Sequence, residues 1–206
     1  MLPRVSDGMT HKNFTRGRGY LENFLATRRA KKVDSLILPG QRQGRILDIG
    51  CGTVPYFLLQ TQFKEKFGID PCTSALPEGS AITIHSLKIQ EDTVLPYERN
   101  FFDAVTMLGV LEHFSVNEAG SLFKQIFRIL KPRGRFILTT PHCGAAWLLK
   151  RLAAARLISP EEIKDLKASY PLTTLAALLG AAGFDDKKIF CGHFQGGVNT
   201  WVYGEK

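Results

Sequence analysis

Short apolar runs bounded by glycine, proline and charge recur along this chain. Arg45–Ile49, Lys66–Ile69, Ala81–Leu87, Phe102–Leu108 and Arg135–Thr140 predict five strands. Longer segments with helical spacing lie between them. Residues 20–38 place Leu21, Phe24, Leu25, Val33, Leu36 and Ile37 on one apolar face, and Pro39-Gly40 ends the pattern. Pro55–Phe63 follows the first strand. Val116–Leu130 follows the fourth, with Ser115 or Asn117 as its cap. Pro71–Ser80 holds two prolines and a glycine, so the crossover helix expected there is short or missing. Strands alternating with helices predict an α/β fold with a doubly wound, mainly parallel sheet.

The remainder is read the same way. Residues 1–16 read as loosely ordered, and residues 142–170 as a helical insertion after strand five. Ala145–Leu157 has a helical apolar face of Trp147, Leu148, Leu149, Leu152, Ala153 and Leu157. Ser159-Pro160-Glu161-Glu162 is a capping box opening a second short helix. Leu172–Ala182 is a helix closed by Gly183. Phe184–Phe190 and Val198–Tyr203, parted by Gly192 and Gly196-Gly197, read as a final strand pair. The whole chain, 1–206, is expected to be one domain.

The candidate chemistry gathers at the first two strands. Ile46-Leu47-Asp48-Ile49-Gly50-Cys51-Gly52-Thr53 is a buried strand entering a glycine turn that opens a helix, and Asp70 ends the next strand. Glycines let a ligand approach the backbone, and a carboxylate at a neighbouring strand tip can hold ribose hydroxyls. A dinucleotide fingerprint would need a third glycine where Pro55 stands, and no P-loop string occurs.

The acid-x-Gly-x-Gly pattern of Asp48, Gly50 and Gly52 resembles motif I of the class I S-adenosylmethionine (SAM)-dependent methyltransferases. Leu95-Pro96-Tyr97, Phe101-Phe102-Asp103-Ala104-Val105, Val110-Leu111-Glu112-His113 and Ile129-Leu130-Lys131-Pro132-Arg133-Gly134-Arg135 continue the likeness in order over roughly residues 45–140. Two positions depart from the pattern: Val54 stands where many members carry a third glycine, and Arg133 replaces the first glycine of the last segment. The resemblance implies SAM as cofactor and a Rossmann-like methyltransferase fold. That fold is a seven-stranded sheet whose last two strands are antiparallel to each other. It also implies a cofactor set: Asp48, Gly50, Cys51, Gly52, Asp70, Pro71, Leu108 and Gly109, with Glu91 or Asp92 on the adenine amino group. Asp48 would either bond the amides of the turn or reach the methionyl ammonium through water.

Methyl transfer from a sulfonium needs alignment at about 3 Å and exclusion of water rather than an elaborate triad. His113 and His142 follow strands four and five at the ligand-binding edge and are the candidate bases. A structural bond to the backbone or to Glu112 is the alternative for His113, and His193 could also face the acceptor. No metal site is expected. An adenine N6-type motif and a Pro-Cys are both missing after strand four, which argues against a nucleobase acceptor. The favoured acceptor is therefore a small molecule, or one linked to lipid or sugar, methylated at oxygen. An RNA or protein methyltransferase and a non-catalytic scaffold are the alternatives.

Charge and cysteines refine this picture. Residues 1–45 hold ten Lys/Arg against three acids, most of the chain's net +8. Such a segment either forms a solvated helix face or meets an anionic partner, including peripheral contact with a membrane. No apolar run is long enough to span a bilayer, and the first residues lack the apolar core of a secretory signal. Four widely spaced cysteines suit a reducing cytoplasm.

Overall fold

The structure, a computed structural model, describes residues 22–72, 79–145, 168 and 170–206. Strands β1 (Arg45–Ile49), β2 (Glu65–Asp70), β3 (Ile82–Ser86), β4 (Phe102–Leu108), β5 (Leu130–Pro141), β6 (Ile189–Phe194) and β7 (Asn199–Glu205) form one sheet. Its order is β3-β2-β1-β4-β5-β7-β6. Strands β1 to β5 pair in parallel, and β7 runs antiparallel to both β5 and β6.

The period-two alternation of β1 divides the core. Ile46 points to one face, packing with Ala30, Val33 and Ile37 around helix α1 (Glu22–Asp34) and with Phe57 and Leu58 of α2 (Tyr56–Gln60). Leu47 and Ile49 point to the other face. They join Leu122, Phe123 and Ile126 of α3 (Val116–Ile129) and Leu175 and Leu179 of α4 (Leu172–Ala182). Burying each such side chain stabilises the fold by about 1.5–3 kcal/mol. Ser115 caps α3: its Oγ accepts from Glu118 N at 3.3 Å, while Glu118 Oε2 accepts from Ser115 N at 2.7 Å. At the other end of α3, Lys206 Nζ donates to the carbonyls of Phe127 and Leu130, each at 2.8 Å, where a cation complements the helix dipole.

Several boundaries differ from the sequence expectation. Helix α1 ends at Asp34, and Pro39–Gln43 forms a separate 3-10 turn. Helix α2 is only Tyr56–Gln60. The final strand pair starts later than expected: Asp186–Lys188 is a 3-10 turn opened by Asp185, whose carboxylate accepts from Lys187 N at 2.9 Å, so β6 begins at Ile189. Strand β5 starts early because Leu130 pairs with Phe102 ahead of an irregularity in register. Residues 1–16, the helix expected over Ala145–Leu157 and the capping box at Ser159 lie outside the described residues, apart from the first position of that helix.

Candidate active site

Register aligns Ile49 with Ile69 of β2 and with Met107 of β4, so three parallel strands end level. Ligands bind at this carboxyl edge in doubly wound sheets. Gly50 turns the chain there with φ +73°, and Gly50 N donates to Ile69 O at 2.7 Å. A Cβ on Gly50 would stand 2.4 Å from Val110 Cγ2, so no other residue fits.

Two carboxylates face the turn. Asp70 is buried; its Oδ2 accepts from Gly52 N at 3.0 Å and its Oδ1 from Cys72 N at 2.8 Å. Asp48 is also buried and accepts from Thr106 Oγ1 at 2.7 Å. Burial pushes its carboxyl up to about 7, with the Thr106 bond opposing and nearby Asp70 adding. Burial, with Asp48 and Asp70, also pushes the Cys51 thiol far up, so it stays protonated and serves as a small apolar wall.

Arg29 of α1 completes this end. Its guanidinium lies against Gly109, where φ is +66° and an added Cβ would stand 2.3 Å from Arg29 Nη1. Arg29 Nε is buried with no hydrogen bond among the described residues. A buried, unpaired N–H of a cation is costly and suits an anionic ligand group. Helix α1 is held over the site by Thr27 Oγ1 and Tyr56 Oη at 3.1 Å and by Gln195 Nε2 donating to Leu25 O at 3.1 Å.

These groups line a cavity of about 410 Å³. Ile69, Pro71, Leu87 and Ile89 lie on its β2–β3 side, and His113, Phe114 and Glu118 on its β4 side. The turn holding His113 is itself pinned, because Tyr170 Oη donates to Phe114 O at 2.8 Å and Ala168 N to Glu112 O at 3.3 Å. Among the described residues no three His, Cys, Asp or Glu side chains are grouped to hold a metal ion.

Of the residues expected from sequence, Asp48, Gly50, Cys51, Gly52, Asp70, Pro71, Leu108, Gly109 and His113 all line this cavity. Glu91 and Asp92 do not. They are exposed in a turn closed by Thr93 N donating to Gln90 O at 3.1 Å, and Leu87 to Gln90 line the cavity instead. His142 also lies outside the lining. Its ring packs edge-on against His193 at 4.9 Å, and its Nδ1 accepts from Gly144 N at 3.0 Å. Arg29 escaped the sequence reading. Its signal was a cation adjoining the inward stripe of Ala26, Ala30 and Val33.

A family described as "Methyltransferase domain" matches residues 19–188. The chain belongs to the class I SAM-dependent methyltransferases. This methyltransferase is 31% identical over 103 residues to the mouse protein named "Probable tRNA methyltransferase 9B", a match covering 49% of this chain and 23% of that one. It thus spans under a quarter of the length of the curated relatives it matches. A SAM-dependent methyltransferase from Archaeoglobus fulgidus superposes with TM-score 0.67 at 14% identity, covering 89% of this chain and 94% of that one. Phosphoethanolamine N-methyltransferase 2 of Haemonchus contortus, in complex with S-adenosyl-L-methionine, gives 0.61 at 17%, covering 86% and 51%. At these identities the structural likeness is one of fold. Membership of this family implies SAM as the cofactor of the domain.

Proposed function

We propose that this methyltransferase methylates an oxygen of a small-molecule acceptor, or of one linked to lipid or sugar, with His113 taking the acceptor's proton. The observation that carries the reading is that His113 is the imidazole lining the cavity among the described residues, beside Phe114 and Glu118. Charged groups at two ends of the cavity support SAM as its occupant. Arg29, with its unpaired Nε, would hold the methionyl carboxylate, and Asp48 the ammonium. Asp70 would hold the ribose hydroxyls, and Ile69, Pro71, Leu87 and Ile89 would flank the adenine. SAM, when bound, supplies a methyl made electrophilic by its sulfonium sulfur. The chain's own work is to fix the acceptor oxygen in line, to keep water out beneath α1 and Phe114, and to accept one proton at the His113 ring.

An RNA acceptor is favoured by the name of the mouse relative and by the basic residues 1–45. Both readings are tested together by transfer of labelled methyl from SAM to a panel of hydroxyl-bearing metabolites and to bulk tRNA. Label on the hydroxyl compounds supports the proposal; label on tRNA alone overturns it. With a working acceptor, His113→Asn should lower kcat roughly 100-fold or more while SAM affinity holds. An unchanged kcat would remove His113 as the base.

A further inference from the structure

We infer that the outer face of α1 docks this protein on an anionic phospholipid bilayer. Helix α1 is amphipathic in an unusual sense. Ala26, Ala30 and Val33 turn inward, and Phe24, Arg28, Lys31 and Ser35, spaced by four, three and four residues, form the exposed stripe. That stripe bears no acid. Asp34 is drawn to Arg42 Nη1 at 3.0 Å and to Thr61 Oγ1 at 2.7 Å. Phe24 is 57% exposed, and the Arg28 guanidinium sits 5.5 Å from its ring centre. A protruding aromatic ring among cations suits a surface contact with a headgroup layer, the ring toward the acyl boundary and the cations at the phosphates. In the sequence, residues 1–21 add Arg4, Lys12, Arg16 and Arg18 against Asp7.

Position on the fold supports the same partner. Leu25 O is bonded by Gln195 in the β6–β7 turn, and Ala26 and Arg29 line the cavity, so the Phe24 end of α1 flanks the site's mouth. Single-stranded nucleic acid would need open aromatic faces along a basic groove. Here Lys32 covers Trp201 at 4.5 Å, and Trp201 stacks on Tyr203 at 6.0 Å, so those two rings offer no open face. No helix among the described residues is long and apolar enough to cross a membrane; the stripe offers a surface contact.

The inference is independent of the methyl acceptor, and its test needs no turnover. The full chain is floated with vesicles of phosphatidylcholine alone, and of phosphatidylcholine with about one-third phosphatidylglycerol. Binding is expected only to the anionic vesicles and should weaken as salt rises. Arg28→Ala with Lys31→Ala should lower the partition coefficient about 25-fold, at about fivefold for each cation near such a surface. Phe24→Ala should weaken it as well. None of these residues lines the cavity, so SAM affinity stays at the wild-type value and reports that each variant is folded. Equal binding to both vesicle types, no binding, or a double variant that binds like wild type overturns the inference. So does salt-sensitive binding to bulk tRNA in place of vesicles. Each of those results leaves the label-transfer assay to judge the acceptor separately.

Discussion

Asp48 brings a carboxylate to a place that water hardly reaches, and its protonation is therefore the most condition-dependent feature of the site. Its carboxyl rises from 3.8 to about 7, chiefly through burial. Between those values the folded chain keeps a proton that the unfolded chain has released. The contribution of Asp48 to stability accordingly falls as pH rises across that window and is level above it. A cation beside Asp48 favours the ionised form. SAM affinity should therefore strengthen as pH rises through about 7, and binding near neutrality should release a proton. Calorimetric titration in buffers of different ionisation enthalpy reads both effects, and Asp48→Asn should flatten them. An affinity independent of pH in the wild type would remove Asp48 from the ligand's charge. Asp48 was legible in sequence through its spacing to Gly50 and Gly52. Arg29 was not, because its contact with Gly109 spans distant parts of the chain and exists only once α1 packs on the sheet.

Among the elements, β5 carries a cost that a relative with glycine would avoid. Arg133 adopts φ +67°, in the left-handed region, where its Cβ crowds the backbone. Its neighbours hold it there: Arg133 N donates to Lys206 O at 2.8 Å, and Gln41 Nε2 donates to Arg133 O at 3.2 Å. Both are backbone groups of residue 133, so Arg133→Gly keeps them and relieves the strain. The variant should be more stable by about 1 kcal/mol, raising Tm by roughly 2–4 °C in a thermal melt. A lower Tm would mean that the Arg133 side chain contributes more than its backbone costs. The sequence pattern placed β1, β4 and α4 at their observed bounds, since each is a strong apolar run with a clear stop such as Gly183. It misplaced the start of β6, where Phe184 is apolar but buried against Phe127 and Phe136 rather than paired in the sheet. Nor did it show which residues of the loop after β3 line the cavity, because that loop has no periodicity; Leu87 to Gln90 do, and Glu91 and Asp92 are exposed.

At the scale of the whole molecule, strand order does most of the functional work. With β1 central and β2 and β4 beside it, the glycine turn, the Asp70 tip and the Gly109 turn meet at one edge, and α1 closes over them. The α/β alternation made this sheet legible, and the antiparallel run of the last two strands followed from the family resemblance, while the place of β7 between β5 and β6 was visible only in the structure. The central claim is that this edge is a SAM cradle organised around Asp70. It is tested most directly by calorimetric titration of the wild type and Asp70→Ala with SAM and with S-adenosylhomocysteine. The wild type should bind both ligands, and Asp70→Ala should lose about 1.5–3 kcal/mol of binding free energy. Wild-type protein that binds neither ligand, or an Asp70→Ala variant that binds as tightly as wild type, would contradict it.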